Sequence, residues 1–199
     1  GQVCISPSCF YVHRDVADDF VAASRSVIAG LVVGPGLEPQ VTTGPLVTAA
    51  ARERITGFVA DAVGKGAEVL TGGAPPANLE RGFFYAPTLL TNLSTGMRAM
   101  QEETFGPIML LNQFDEVDEA IRQANSTPYG LAAYVLTNDM RTAVRAYEGL
   151  KFGIVGVNDM TPATAEAPFG GVKQSGFGRE GSVEGLHEYL ETKFVSLGI

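Results

Sequence analysis

Five segments in the second half of the chain alternate between strand and helix patterns, and this alternation limits the fold more than any other feature. The strand segments are short and apolar on both faces, and the segments between them have helical spacing. Such strands are typical of parallel sheets covered by helices. In chain order the segments are Ile108 to Phe114, Val117 to Asn125, Leu131 to Thr137, Met140 to Leu150 and Gly153 to Val157. The sequence therefore predicts an α/β fold with a largely parallel sheet.

The first half of the chain continues this pattern. Cys9 to Val12 is predicted to be a short buried strand, Asp15 to open an amphipathic helix, and Thr48 to cap a second helix. Two more strands are predicted at Glu68 to Leu70 and at Phe83 to Leu90.

The end of the chain differs from the rest. Gly185 to Leu190 is predicted to be helical and Lys193 to Leu197 to be a strand with no partner in the chain. An unpaired strand is a candidate for pairing with another molecule. We therefore expect a main unit at residues 1–184 and a segment for oligomer contact at 185–199.

Composition excludes several classes of partner. The chain has 199 residues, a net charge of −8 and no cluster of Lys and Arg, so nucleic acid and anionic membrane surfaces are not expected partners. No apolar run approaches the roughly 20 residues that span a bilayer.

Two cysteines make no disulfide framework, which predicts a reducing compartment such as the cytoplasm. No spacing of His and Cys is typical of a metal site.

The first candidate for chemistry is Cys4, in the run Gly1-Gln2-Val3-Cys4. A cysteine becomes a good nucleophile where its thiolate is favoured, as at a helix N-terminus or beside a cation. Ser6 and Ser8 neither prove nor exclude such a setting. From the residues alone, Cys4 is either an inert packing thiol or a nucleophile.

The second candidate is Glu102-Glu103-Thr104-Phe105-Gly106-Pro107, directly ahead of a predicted strand. A carboxylate before a Gly-Pro turn can accept two hydroxyl hydrogen bonds from a ribose, and an adjacent aromatic ring can pack on a flat heterocycle. The same residues also fit an ordinary solvated turn with a buried Phe.

The third candidate is the glycine-rich run from Pro168 to Gly181. It lacks the spacing of a P-loop or a dinucleotide fingerprint, and no strand leads straight into it. A tight loop over a pocket, with Phe169 and Phe177 as walls, fits these residues better than a phosphate site does.

Together and in this order, the three motifs resemble the C-terminal, catalytic-domain part of the aldehyde dehydrogenase superfamily of NAD(P)-dependent enzymes. The resemblance runs along essentially the whole chain. Pro168 to Ser182 and Glu188 to Glu191 are similar to succinate-semialdehyde dehydrogenases and related semialdehyde enzymes. Further segments that carry the resemblance are Gly44-Pro45-Leu46, Gly64 to Ala67, Val157-Asn158 and Gly185 to Lys193.

The resemblance implies a role for each of five residues. Cys4 is expected to attack the aldehyde carbonyl, giving a thiohemiacetal and then a thioester that water hydrolyses. Glu103 is expected to hold the nicotinamide ribose of NAD or NADP, with Phe105 beside it. Phe169 is expected to line the substrate pocket, and Thr164 to place its hydroxyl near the substrate carboxylate.

Three further expectations come from the resemblance. Arg179 and Glu191 correspond to a pair that serves structure and subunit contact in a homo-oligomer, tying the glycine-rich run to the last strand. Cys9 stands where Arg is common in the family, so it is expected to be a structural thiol. Ser6 stands where semialdehyde enzymes often carry a second Cys, so a disulfide switch is not expected.

The resemblance also implies that several parts lie upstream of Gly1. They are the dinucleotide-binding domain, the Glu that activates water, the Asn of the oxyanion hole, and the first strand and helix of the catalytic domain. The 199 residues alone are therefore expected not to oxidise aldehyde. Two alternatives stay open: a non-catalytic assembly module, and a CoA-dependent acylating aldehyde dehydrogenase.

Overall fold

The computed structural model describes residues 1–199, which form two compact units, Gly1–Thr127 and Pro128–Ile199. The predicted boundary between 184 and 185 stays a prediction. None of the helices combines the length and the apolar character that crossing a bilayer requires.

The first unit contains helices on both faces of a sheet. Its second helix begins where predicted, because the Thr48 hydroxyl accepts the Ala51 N–H at 3.1 Å and so caps the helix. The elements in chain order are β1 (Cys9–His13), α1 (Arg14–Ala29), α2 (Ala49–Gly64), β2 (Glu68–Thr71), β3 (Thr88–Thr91), α3 (Arg98–Gln101), β4 (Ile108–Phe114) and α4 (Val117–Ala124).

The four strands form one sheet in the order β1-β4-β3-β2. β4 runs parallel to both β1 and β3, and β2 is antiparallel to β3. Consecutive side chains of a strand point to opposite faces. Leu90 and Leu110 therefore pack in the buried cluster with α2, whereas Leu89 and Leu111 pack in the cluster with α1. The predicted α/β class with a largely parallel, helix-covered sheet is confirmed.

One predicted strand is too long. The strand observed there is Thr88–Thr91, so the residues from Phe83 to Pro87 of the predicted segment are not in a strand. Pro87 has no N–H to donate to a neighbouring strand. The residues before it bond to loops instead: the Phe83 carbonyl accepts the N–H of Leu46 at 2.9 Å, and the Ala86 N–H donates to Ala74 at 3.1 Å.

The second unit is built on one βαβ motif. Its elements are β5 (Ala132–Val135), α5 (Met140–Gly149), β6 (Ile154–Val157), a 3₁₀ turn at Lys173–Ser175 and α6 (Ser182–His187). β5 and β6 are parallel, as predicted. The glycine-rich run packs against the start of β6, where a Cβ on Gly153 would clash with the Gly170 carbonyl.

The strand predicted at Lys193 to Leu197 is not formed in the single chain, and its pairing with another molecule stays a prediction. Residues 188–199 carry no helix or strand, and every one of them is exposed. A strand is stable only when a second strand takes up its backbone hydrogen bonds, and no other part of the chain supplies one there.

Candidate functional site

Cys4 lies at an exposed turn near the start of the first unit. The Ser6 N–H donates to the Val3 carbonyl at 3.0 Å, which closes the turn and places Cys4 at its second position. Four residues further on, the Ser8 carbonyl accepts the N–H of Leu110 at 2.8 Å and continues the pairing of β1 with β4. The thiol is therefore accessible, on a turn fixed to the edge of the sheet.

The residues before Cys4 are held against two other segments. The Gln2 side-chain oxygen accepts the N–H of Val47 at 3.1 Å. Gly1 packs so closely on Gly106 that a Cβ on Gly1 would clash with the Gly106 carbonyl. The turn that carries Cys4 consequently begins directly beside the segment that carries Glu103 and Phe105.

The second cysteine has a different environment. Cys9 is partly exposed as a residue, but its thiol is surrounded by protein and bonds the Tyr11 side chain. Burial raises the pKa of Cys9 to about 11, and the bond to Tyr11 lowers it only in part. Because the thiolate is the reactive form, Cys9 is a poor nucleophile, which agrees with its predicted structural role.

The predicted cofactor segment, Glu102–Pro107, is a tight turn with unusual backbone geometry. Phe105 has a φ of +46°, in the left-handed region that residues other than glycine seldom adopt. The turn joins the sheet where the Thr88 N–H donates to the Pro107 carbonyl at 2.8 Å. Residues in such conformations are frequent at ligand sites, where the surrounding structure holds them in place.

The two acidic residues of this turn differ in their partners. Glu102 forms a two-point ion pair with Arg98, at 2.7 and 3.2 Å, and this hydrogen bonding lowers the pKa of Glu102. Glu103 is exposed, and its carboxylate makes no hydrogen bond or ion pair in the chain. Both oxygens of Glu103 are therefore free to accept hydrogen bonds from a ligand.

A cleft of about 240 Å³ lies in the second unit and brings two predicted substrate residues together, Thr164 and Phe169. Phe169 is fixed by two backbone hydrogen bonds of 2.8 Å to Glu180. No basic side chain lines the cleft, so the Thr164 hydroxyl is its polar side-chain group. The lining residues are Gly153, Ile154, Pro162, Ala163, Thr164, Ala167, Pro168 and Phe169.

The predicted bond between Arg179 and Glu191 is not formed in this chain. Glu191 lies in the exposed terminal segment and makes no ion pair. The carboxylate of Glu188, directly after α6, accepts a hydrogen bond from the Arg179 backbone N–H at 3.2 Å instead. The Arg179 guanidinium donates within the glycine-rich run, to the carbonyls of Gly171, Phe177 and Gly178 at 2.8, 2.9 and 3.0 Å.

Sequence reasoning missed Arg54, which contacts the Glu102–Pro107 turn from α2. Its guanidinium donates to the carbonyls of Glu103 and Thr104 at 3.0 and 3.1 Å. The partners lie 49 and 50 residues apart in the chain. No local spacing signals such a contact, since it depends on how the helix packs on the sheet.

Comparison with known proteins confirms the predicted family. The sequence profile of the aldehyde dehydrogenase family matches residues 1–195. Mitochondrial succinate-semialdehyde dehydrogenase of Arabidopsis thaliana is 44% identical over 100% of this chain and 37% of its own length. Glutarate-semialdehyde dehydrogenase of Pseudomonas aeruginosa is 41% identical over 100% of this chain and 41% of its own length.

The fold also matches solved structures. An NADP-dependent enzyme of E. coli superposes with a TM-score of 0.94 at 39% identity, covering 100% of this chain and 41% of the other. The chain thus spans about two fifths of the length of the relatives that it matches.

Proposed function

We propose that this chain, which belongs to the aldehyde dehydrogenase family, supplies the nucleophile for NAD(P)-dependent oxidation of an aldehyde to a carboxylic acid. One observation carries the proposal. Gly1 packs on Gly106, so that the exposed thiol of Cys4 and the free carboxylate of Glu103 lie on adjoining turns of one unit. A nucleophile and a ribose acceptor must be close if both are to serve one reaction.

The chemistry assigned to this chain takes place on Cys4. Its thiolate forms a bond to the aldehyde carbon, and the carbonyl oxygen becomes an oxyanion. This oxyanion accepts a hydrogen bond from the backbone N–H of Cys4. Removal of one such donor typically slows a reaction by about 10²–10³-fold. Loss of hydride from the same carbon leaves a thioester, and water then cleaves the sulfur–carbon bond to release the acid and restore the thiol.

The Glu102–Pro107 turn fits a nicotinamide cofactor, which supplies the hydride acceptor when it is bound. Glu103 offers two carboxylate oxygens without partners in the chain, as two ribose hydroxyls require. The partly buried ring of Phe105 offers a flat face beside it. The choice between NAD and NADP is not encoded in these residues.

The proposed substrates are semialdehydes, such as succinate semialdehyde. The names of the relatives support this class. Phe169 and Thr164 stay the proposed substrate residues, Phe169 as an apolar wall and Thr164 as a hydroxyl. A CoA-dependent acylating reaction would use the same thioester on Cys4.

An assay of two proteins tests the proposal. The isolated chain is expected to give no NAD(P)H from succinate semialdehyde, because it spans only about two fifths of the length of the relatives that it matches. The chain grafted in place of the matching segment of the Arabidopsis relative is expected to give NAD(P)H, and Cys4→Ser in this graft to abolish it. A graft that is folded by circular dichroism but inactive would contradict the proposal, as would turnover by the isolated chain.

The exposed end of the chain favours a second role, in assembly. Tyr189, Phe194 and Leu197 are 90%, 88% and 83% exposed. Large apolar side chains exposed within one short segment are typical of contact surfaces. We propose that this segment pairs with a second copy of the chain. A non-catalytic assembly module would show association together with slow labelling of Cys4, whereas the enzyme proposal requires fast labelling of Cys4.

A further inference from the structure

Arg54 holds the turn that carries Glu103 through two hydrogen bonds to consecutive backbone carbonyls. One guanidinium nitrogen donates to the Glu103 carbonyl at 3.0 Å, and another donates to the Thr104 carbonyl at 3.1 Å. The planar fork of a guanidinium suits two neighbouring acceptors, and hydrogen bonds from a charged donor are stronger than neutral ones.

The middle of the turn needs a tie of this kind because the side chains of Thr104 and Phe105 do not stabilise it. Phe105 is in the left-handed region, which costs free energy for a residue with a Cβ. The Thr104 side chain is only 2% exposed, yet its hydroxyl has no hydrogen-bond partner. Neither side chain therefore stabilises the turn by hydrogen bonding, and the carbonyls of 103 and 104 depend on Arg54.

Helix α2 fixes the turn at a second point, at Gly106, two residues beyond Thr104. A Cβ on Gly106 would clash with the Ile55 side chain, which is completely buried. The Arg54 guanidinium also lies 5.6 Å from the centre of the buried Phe58 ring, one helical turn away. This cation–π contact keeps the guanidinium directed towards the turn.

We propose that Arg54 is a positioning residue, which aims the Glu103 carboxylate at the ribose of the bound nicotinamide cofactor by holding the carbonyls of Glu103 and Thr104. The inference rests on the proposed function, since it takes Glu103 as the ribose acceptor. Arg54 acts through the backbone and needs no contact of its own with the cofactor.

Helix α2 offers a matched control in Arg52. Arg52 also donates to a backbone carbonyl, that of Gly82 at 3.0 Å, and also lies over an aromatic ring, that of Phe83 at 6.0 Å. It does not contact the Glu102–Pro107 turn. Arg54→Ala and Arg52→Ala therefore both remove carbonyl hydrogen bonds and a cation–π contact from one helix, two bonds at Arg54 and one at Arg52, and only Arg54→Ala releases the Glu102–Pro107 turn.

The first measurement uses the 199-residue chain and requires no activity. Backbone ¹⁵N relaxation of Thr104 and Phe105 is expected to give order parameters near the rigid value of about 0.85 in the unmodified chain and in Arg52→Ala. In Arg54→Ala we expect values below about 0.6. Unchanged order parameters in Arg54→Ala would overturn the proposal.

The second measurement uses a protein that joins this chain to a nucleotide-binding domain. Arg54→Ala is expected to raise the KM for NAD(P) about tenfold, with the KM for aldehyde unchanged, and Arg54→Lys to restore part of the loss.

In a Glu103→Gln background, Arg54→Ala is expected to have no further effect. An equal tenfold effect in that background would show that Arg54 acts on the cofactor independently, and would overturn the proposal. If the unmodified protein has no NAD(P)-dependent activity, the proposed function fails and the order parameters alone decide the role of Arg54.

Discussion

The two cysteines show how local environment separates residues of one type. Cys4 is exposed on a turn, whereas the Cys9 thiol is enclosed beside Tyr11. A buried thiol ionises with difficulty because the charged form loses its hydration. At neutral pH the reactive thiol of this chain is therefore that of Cys4.

We predict a large difference in the alkylation of the two thiols. With a pKa of about 11 for Cys9, roughly one thiol in a thousand is ionised at pH 8, and enclosure slows access further. Iodoacetamide at pH 8 is expected to label Cys4 first, and the Cys9 rate to rise about tenfold per pH unit up to about pH 11. Mass spectrometry of digests measures both rates, with Cys4→Ser as the control that retains only the slow phase. Equal rates at pH 8 would contradict this assignment.

Motifs anticipated individual side chains better than their contacts. Cys4, Glu103 and Phe105 were candidates from short runs of sequence, because the chemistry of a thiol, a carboxylate and a ring is local, and the family resemblance implied their roles, which stay predictions. The contact of Arg54 could not, since its partners lie 49 and 50 residues away. The left-handed φ of Phe105 could not be predicted either, because the surrounding packing imposes it.

At the scale of elements, α2 organises the first unit. Ile55 and Phe58 are completely buried against the sheet, and Arg54 on the same helix holds the proposed cofactor turn. The sequence predicted the start of this helix at Thr48. The helix ends at Gly64, and Val63 in its last turn is 47% exposed.

The cap of α2 gives a prediction about stability. Thr48→Ala removes the acceptor for the Ala51 N–H and is expected to lower the free energy of unfolding by about 1 kcal/mol. Glu53→Ala is the control on the same helix, because the exposed Glu53 side chain makes no hydrogen bond or ion pair in the chain and Ala is the better helix former. Urea unfolding followed by circular dichroism measures both. A loss in Glu53→Ala as large as that in Thr48→Ala would contradict the capping role.

Across the whole molecule, packing within the chain was predictable, whereas the structure of the terminal segment depends on a partner outside the chain. The strand pattern anticipated the parallel pairing of β5 with β6, because each strand finds its partner within the chain. Lys193 to Leu197 has strand composition but no partner in the chain, and it carries no secondary structure. A sequence pattern reports the preference of a segment and does not report whether a partner is present.

The terminal segment leads to a prediction about association. If a second copy pairs with it, light scattering is expected to give a mass above the 21.0 kDa of one chain. Phe194→Ser with Leu197→Ser is expected to return the mass to that of a monomer, because both side chains are more than four fifths exposed in the single chain. Leu37→Ser, at a fully exposed Leu elsewhere, is the control. A monomeric unmodified chain would exclude this mode of assembly.

The central claim is that Cys4 is the nucleophile of an aldehyde oxidation, and trapping the acylated enzyme tests it most directly. The protein that joins this chain to a nucleotide-binding domain is mixed with succinate semialdehyde and NAD(P), quenched with acid during turnover, and digested for mass spectrometry. We predict a succinyl thioester on Cys4, none on Cys9, and neither adduct nor NAD(P)H in Cys4→Ser. Steady turnover with no adduct on Cys4, or undiminished NAD(P)H production by Cys4→Ser, would contradict the claim.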